Sequence, residues 1–146
     1  MIYLLDTSGL VRLLRDSRLQ EAWYDAVDAE AVASCYPQRT EFLYTARNAT
    51  EYDEMTEMYG DLYPDVPVPK TAGRWIASVQ HDMARAGEHR SASAVDLMIA
   101  ATAAHHGLIV LHDDADYRTV ARRASDFSEH NVYDISAPAD DLDAET

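Results

Sequence analysis

Apolar positions along this chain follow two rhythms: short unbroken runs, and longer stretches in which they recur every three or four residues. The runs at residues 2–5, 31–34 and 108–111 predict strands, and the last of them (LIVL) has the uninterrupted character of a central parallel strand. A helical pattern fills residues 10–27 (LVRLLRDSRLQEAWYDAV), with Thr7, Ser8 and Gly9 offering its cap. Two helical pieces within residues 36–63 turn Phe42, Leu43, Met55 and Met58 inward. Pro64, Pro67 and Pro69 then interrupt the rhythm, with Val66 and Val68 expected as a short edge strand between them.

A further helix is expected over residues 71–87, where Trp75, Ile76, Val79 and Met83 share one face and Gly87 ends it. Residues 88–92 are a polar loop. Ser93 and Asp96 form a capping box with the shorter acid, opening an alanine-rich helix that stops at Gly107. After LIVL come HDDADY, a short helix (RTVARRA) and a last strand expected at residues 131–135. Strands alternating with helices require right-handed crossovers, so the expected fold is α/β, a three-layer α/β/α arrangement around a mainly parallel sheet of four to five strands. One domain is expected over residues 1–136, with 137–146 as a disordered acidic tail.

Composition narrows the class. At 146 residues, 47% hydrophobic and 26% charged, the chain has the make-up of a globular protein able to bury a core unaided. No stretch approaches the ~20 apolar residues of a membrane span and the N-terminus lacks a basic leader, so a cytoplasmic protein is expected. The single cysteine, Cys35, excludes an internal disulfide and reads as a half-buried structural thiol. Net charge is −14, and four acids in the last ten residues leave the body at −10. Such a balance argues against nonspecific binding to a phosphate backbone, which runs on Lys and Arg, but suits a site that takes a divalent cation first.

Candidate chemistry follows from where the acids fall. In open parallel sheets, reactive groups gather beyond the carboxyl ends of the strands. Asp6 follows the first strand, and Asp113, Asp114 and Asp116 follow LIVL, so two strands deliver carboxylates to one edge. Asp96 lies in line with Ile99, Ala100 and Ala103, although capping the helix N-terminus would explain an acid there equally well. The Asp113 to Asp116 group, taken alone, reads as a polar turn. Three or more carboxylates within reach of one another would protonate unless a cation neutralised them, and oxygen-only ligands point to Mg²⁺ or Mn²⁺. Such an ion activates water and orients a phosphodiester without a protein nucleophile.

MIYLLDTSGL, RTEFLYTARN and SAVDLMIAATAAHHGLIVLHDDADY, in that order and over nearly the whole chain, resemble a PIN domain, more narrowly a VapC-type toxin of a bacterial toxin–antitoxin pair. The resemblance implies catalytic acids at Asp6, Glu41, Asp96, Asp114 and Asp116, with the metal on Asp6, Asp96 and one acid of the Asp113 to Asp116 loop, Asp114 ahead of Asp116. It alone selects Glu41, whose helical neighbours Tyr44, Thr45 and Asn48 mark no clear face. It implies an Mg²⁺- or Mn²⁺-dependent endoribonuclease that cuts structured RNA such as tRNA or rRNA. It implies further a homodimer held inactive by a cognate antitoxin. Thr7, Ser8 and Arg39 are expected beside the site, and Arg12, Arg15 and Arg18 are candidate phosphate contacts or plain solvated charges.

Other classes fit less well. An aspartyl-phosphate phosphatase would need a second Asp two residues after Asp6, where Ser8 stands. A phosphoacceptor signalling domain would need a lysine near a late strand end, and the only lysine, Lys70, lies among the mid-chain prolines. Another metal-dependent nuclease or phosphatase, or an inactive PIN scaffold, would carry the same acids.

Overall fold

A computed structural model describes residues 1–135. The expected tail at 137–146 lies outside the described residues. Strand β1 (Tyr3–Leu5) leads into helices α1 (Thr7–Arg15) and α2 (Ser17–Asp28), then β2 (Val32–Ala33), α3 (Tyr36–Leu43) and α4 (Ala49–Leu62). Helices α5 (Ala72–Arg85) and α6 (Ala94–His106) precede β3 (Ile109–His112), α7 (Asp116–Arg123) and β4 (Ser128–Asn131). The four strands pair in the order β2-β1-β3-β4, all parallel.

Because successive strand residues point to opposite faces, β1 divides its side chains between two cores. Leu4, with Val110 of β3, packs under Val79 and Met83 of α5, Leu97, Ile99 and Ala100 of α6, and Val120 of α7. Tyr3 and Leu5, with Leu111, pack against Leu10 and Leu13 of α1, Leu19 and Trp23 of α2, Phe42 of α3 and Tyr59 of α4. Helices therefore cover both faces, giving the expected three layers. Both central strands are buried, as their unbroken apolar runs require.

Four local expectations are corrected. The long helix expected at residues 10–27 is two, because Asp16 leaves the helical region (φ −119°, ψ 109°) and its side chain accepts from the Arg18 amide, capping α2. No strand forms around Val66 and Val68. A single bridge joins Ser34 to Asp65, and Pro67 and Pro69 have no N–H with which to extend it. The last strand is 128–131 rather than 131–135, since it pairs with β3 from Ser128 opposite Ile109 to Asn131 opposite His112. Its sequence, Ser-Glu-His-Asn, carries no apolar signal because it is an edge strand. Cys35 is fully buried, not half-buried, and burial raises its thiol to a pKa of about 11.

Helix ends follow the local signals elsewhere. The capping box at Ser93 and Asp96 forms in both directions, with the Asp96 amide donating to Ser93 Oγ (3.1 Å) and the Ser93 amide to Asp96 Oδ2 (3.0 Å). Gly107 closes α6 at φ +66°, a conformation glycine adopts without strain.

Candidate active site

The carboxyl ends of β1 and β3 lie side by side, because Leu5 pairs with Leu111 and the Asp6 amide donates to the Leu111 carbonyl (3.0 Å). The chain can then turn into α1 only because residue 9 is glycine. A Cβ there would stand 2.7 Å from the Leu111 carbonyl oxygen, inside contact distance. Helix α1 is thus pressed against β3 at the point where both deliver acids.

Asp6 is 3% exposed and its carboxylate accepts three hydrogen bonds. Oδ2 accepts from the Ser8 amide (3.0 Å) and hydroxyl (2.6 Å), and Oδ1 accepts from the Tyr117 hydroxyl (2.7 Å). The Ser8 oxygen in turn accepts from the Asp113 amide (2.9 Å), which ties the loop after β3 to the start of α1.

Asp96 serves two ends at once. Oδ2 is held by the cap at Ser93, while Oδ1 faces the Tyr117 hydroxyl at 3.4 Å. The cap and the site compete for nothing, because each takes a different oxygen. Oxygens of Asp96, Asp114 and Asp116 all lie within 4.8 Å of one another. Asp114 also accepts from the Asp116 amide (2.9 Å), which starts α7.

This crowding acts on protonation as expected. Desolvation, then the charges of Asp6 and Asp114, pushes the Asp96 carboxyl above the ordinary aspartate value despite the opposing Ser93 hydrogen bond. Desolvation, then Asp114, raises Asp116. Burial and the neighbouring acids raise Tyr117 well above a free phenol, so it stays a hydrogen-bond donor. Three mutually repelling carboxylates at this spacing, with oxygen as the sole donor type, fit a small hard cation.

A cleft of about 450 Å³ is lined by Asp6, Thr7, Ser8, Glu41, Ser93, Asp96 and Asp114, among others. The acid on α3 is therefore brought to the same opening as those on β1, α6 and the β3 loop, which no spacing argument from the chain foretold. Of the three acids after β3, Asp113 also lines the cleft but has both oxygens engaged: its Oδ2 accepts from Arg12 Nε (2.8 Å) and its Oδ1 from Asn131 (3.3 Å). Arg39, expected beside the site, is engaged away from it. Its guanidinium donates to Ser34 Oγ (2.8 Å) and the Tyr63 carbonyl (2.9 Å) and lies over the Tyr59 ring.

Two residues that organise the site had no assigned role. Tyr117 carries the apolar spacing of α7 and so reads as core. Nothing in the chain tells that its hydroxyl ends on Asp6. His112 is fully buried, its Nδ1 accepting from the Asp114 amide (2.9 Å) and its Nε2 lying 2.7 Å from Glu129. That pattern places its proton on Nε2, donated to Glu129, and fixes the turn that presents Asp114.

Residues 3–123 match the PIN domain family model. Ribonuclease VapC6 of Mycobacterium tuberculosis is 57% identical over 102 residues, spanning 70% of this chain and 80% of that protein. Ribonuclease VapC18 of the same organism is 33% identical over 123 residues, 83% and 88% of the two chains. The chain belongs to the PIN domain family, within its VapC group. Among solved structures, VapBC-1 of nontypeable Haemophilus influenzae superposes with a TM-score of 0.72 over 91% of this chain and 99% of that one, at 14% identity. VapBC2 of Rickettsia felis, solved bound to a DNA fragment from their promoter, gives 0.71 over 90% and 98%, also at 14%. At such identity these likenesses concern the fold.

Proposed function

We propose that this VapC-group ribonuclease is an Mg²⁺-dependent endonuclease, with Mn²⁺ able to substitute, acting as the toxin of a toxin–antitoxin pair. The observation that carries the reading is the convergence of Asp96, Asp114 and Asp116, oxygens within 4.8 Å, beside a cleft that Asp6 and Glu41 also line. In this reading Asp6, Asp96 and Asp114 hold the metal, and Glu41 and Asp116 complete the acidic set. A bound divalent ion would supply activated water and charge neutralisation at a phosphodiester. The chain's own residues do the rest. Ser8 and Tyr117 hold the Asp6 carboxylate by both oxygens, and His112 presents Asp114.

The substrate in this reading is structured RNA such as tRNA or rRNA, met in the cytoplasm. Among the described residues no helix is long and apolar enough to cross a membrane. The partner would be a cognate antitoxin, as in the VapBC complexes whose fold this chain shares. A net charge of −14 suits a basic partner segment. The homodimer rests on the family resemblance alone.

The test is cleavage of a labelled transfer RNA. Wild type should cut it with Mg²⁺ or Mn²⁺ and stop on chelation, and Asp6→Asn and Asp96→Asn should each abolish cutting while keeping the native circular dichroism. Retained cutting in both variants would sink the metal-site reading.

A further inference from the structure

We infer that a second cleft, at the junction of α1 and α2, binds the phosphate backbone of the RNA that enters the acidic site, an inference that rests on the ribonuclease reading above. It has a volume of about 400 Å³ and is lined by Arg12, Arg15, Asp16, Ser17, Arg18 and Tyr133. Arg12 and Arg15 also line the acidic cleft, so the two openings share a wall.

The wall is built, not incidental. Arg12 is held by Asp113, whose amide is bonded to Ser8 and whose other oxygen accepts from Asn131. Asn131 Oδ1 then accepts from the Tyr133 amide (2.9 Å). One connected set of bonds thus runs from Asp6 through Ser8 and Asp113 to both Arg12 and the turn carrying Tyr133. Only Arg12 Nε takes part, and its terminal amino groups have no hydrogen bond among the described residues.

Charge decides what this cleft admits. Arg47 is paired with Glu51, Arg122 and Arg123 with Glu88, and Arg39 is enclosed by Ser34 and Tyr63, so none of these four faces the acidic cleft. Among the described residues, Arg12 and Arg15 are the only cations lining the acidic cleft. A polyanion approaching a chain of net charge −14 meets favourable potential along this flank, and a scissile phosphate at the acids would leave its neighbours facing Arg15 and Arg18. Tyr133, exposed at the rim, offers a ring on which a base can stack.

The experiment measures binding of a labelled transfer RNA by anisotropy across a salt series, with Ca²⁺ replacing Mg²⁺, alongside cleavage kinetics in Mg²⁺. Arg15→Ala and Arg18→Ala should each weaken binding several-fold and lower the slope of log affinity against log salt by about one. The cost in cleavage should fall on KM rather than kcat, with Mn²⁺ affinity unmoved. Arg→Lys at either position should restore most of the slope, since a point charge still meets phosphate. Tyr133→Leu should weaken binding about tenfold without changing the slope. Wild-type affinity and slope in both alanine variants, or no RNA binding by the wild type, overturns the inference. Loss of binding in the variants of a protein that cuts no RNA would uphold the cleft and sink the ribonuclease reading instead.

Discussion

The Tyr117 hydroxyl donates to Asp6 Oδ1 at 2.7 Å across 111 positions of sequence. It is a bond between the last helix and the end of the first strand, buried from solvent on both sides. Tyr117→Phe removes that donor and leaves a buried carboxylate oxygen unpaired. The expected cost is about 1–3 kcal/mol of stability, read by urea denaturation, with weakened Mn²⁺ affinity because Asp6 loses its orientation. Unchanged stability and metal binding would show that the phenol is only filler.

Metal-free, the acid cluster works against folding. Asp114→Asn keeps an oxygen to accept from the Asp116 amide but removes the charge that raises Asp96 and Asp116. The variant should melt at or above the wild-type temperature in chelator, yet lose the Mn²⁺-dependent rise in melting temperature that ligand linkage gives the wild type. A variant less stable than wild type in chelator would contradict this.

Gly9→Ala adds helix propensity, worth about 1 kcal/mol in an open helix. Here the new Cβ meets the Leu111 carbonyl oxygen at 2.7 Å. Overpacking of this kind costs ~1–3 kcal/mol, so the net effect should be destabilising, with loss of cleavage as α1 is pushed off β3. Thermal melting reads the sign directly.

Arg39→Ala should act on the fold and not on substrate. It forfeits hydrogen bonds to Ser34 and Tyr63, a loss of roughly 1 kcal/mol in stability, while KM for RNA stays at the wild-type value. A raised KM at unchanged stability would return Arg39 to the substrate side.

High pH should unfold the protein. Burial raises Cys35 to about 11 and Tyr63 to about 12, and lifts Tyr59 and Tyr117 further. For each group the folded pKa exceeds the unfolded one, so its contribution is complete below the unfolded value and is lost as pH rises through the folded one. Stability should fall from about pH 9 upward, by ~1.4 kcal/mol per pH unit for each proton taken up less by the unfolded chain. A urea series from pH 7 to 11 measures it.

Much of this protein is legible in its sequence, and for a reason. The strand ends at Asp6 and after LIVL, the capping box at Ser93 and Asp96, and the stop at Gly107 are local: each depends on residues within a turn or a short run. Even so, local signals compete, and at Asp16 a good cap won over a continuous helical rhythm, while the edge strand β4 had no apolar residues to announce it.

What the tertiary structure alone decided is which atoms meet. Glu41 reaches the cleft because α3 packs against α1 and α6, a contact with no trace in the spacing of its neighbours. Tyr117 reads as core until its hydroxyl is seen on Asp6, and Asp113, adjacent in sequence to Asp114, is engaged by Arg12. Periodicity reports only whether a residue faces inward. The partner it finds there is set by the packing of elements far apart in the chain, which no local pattern contains.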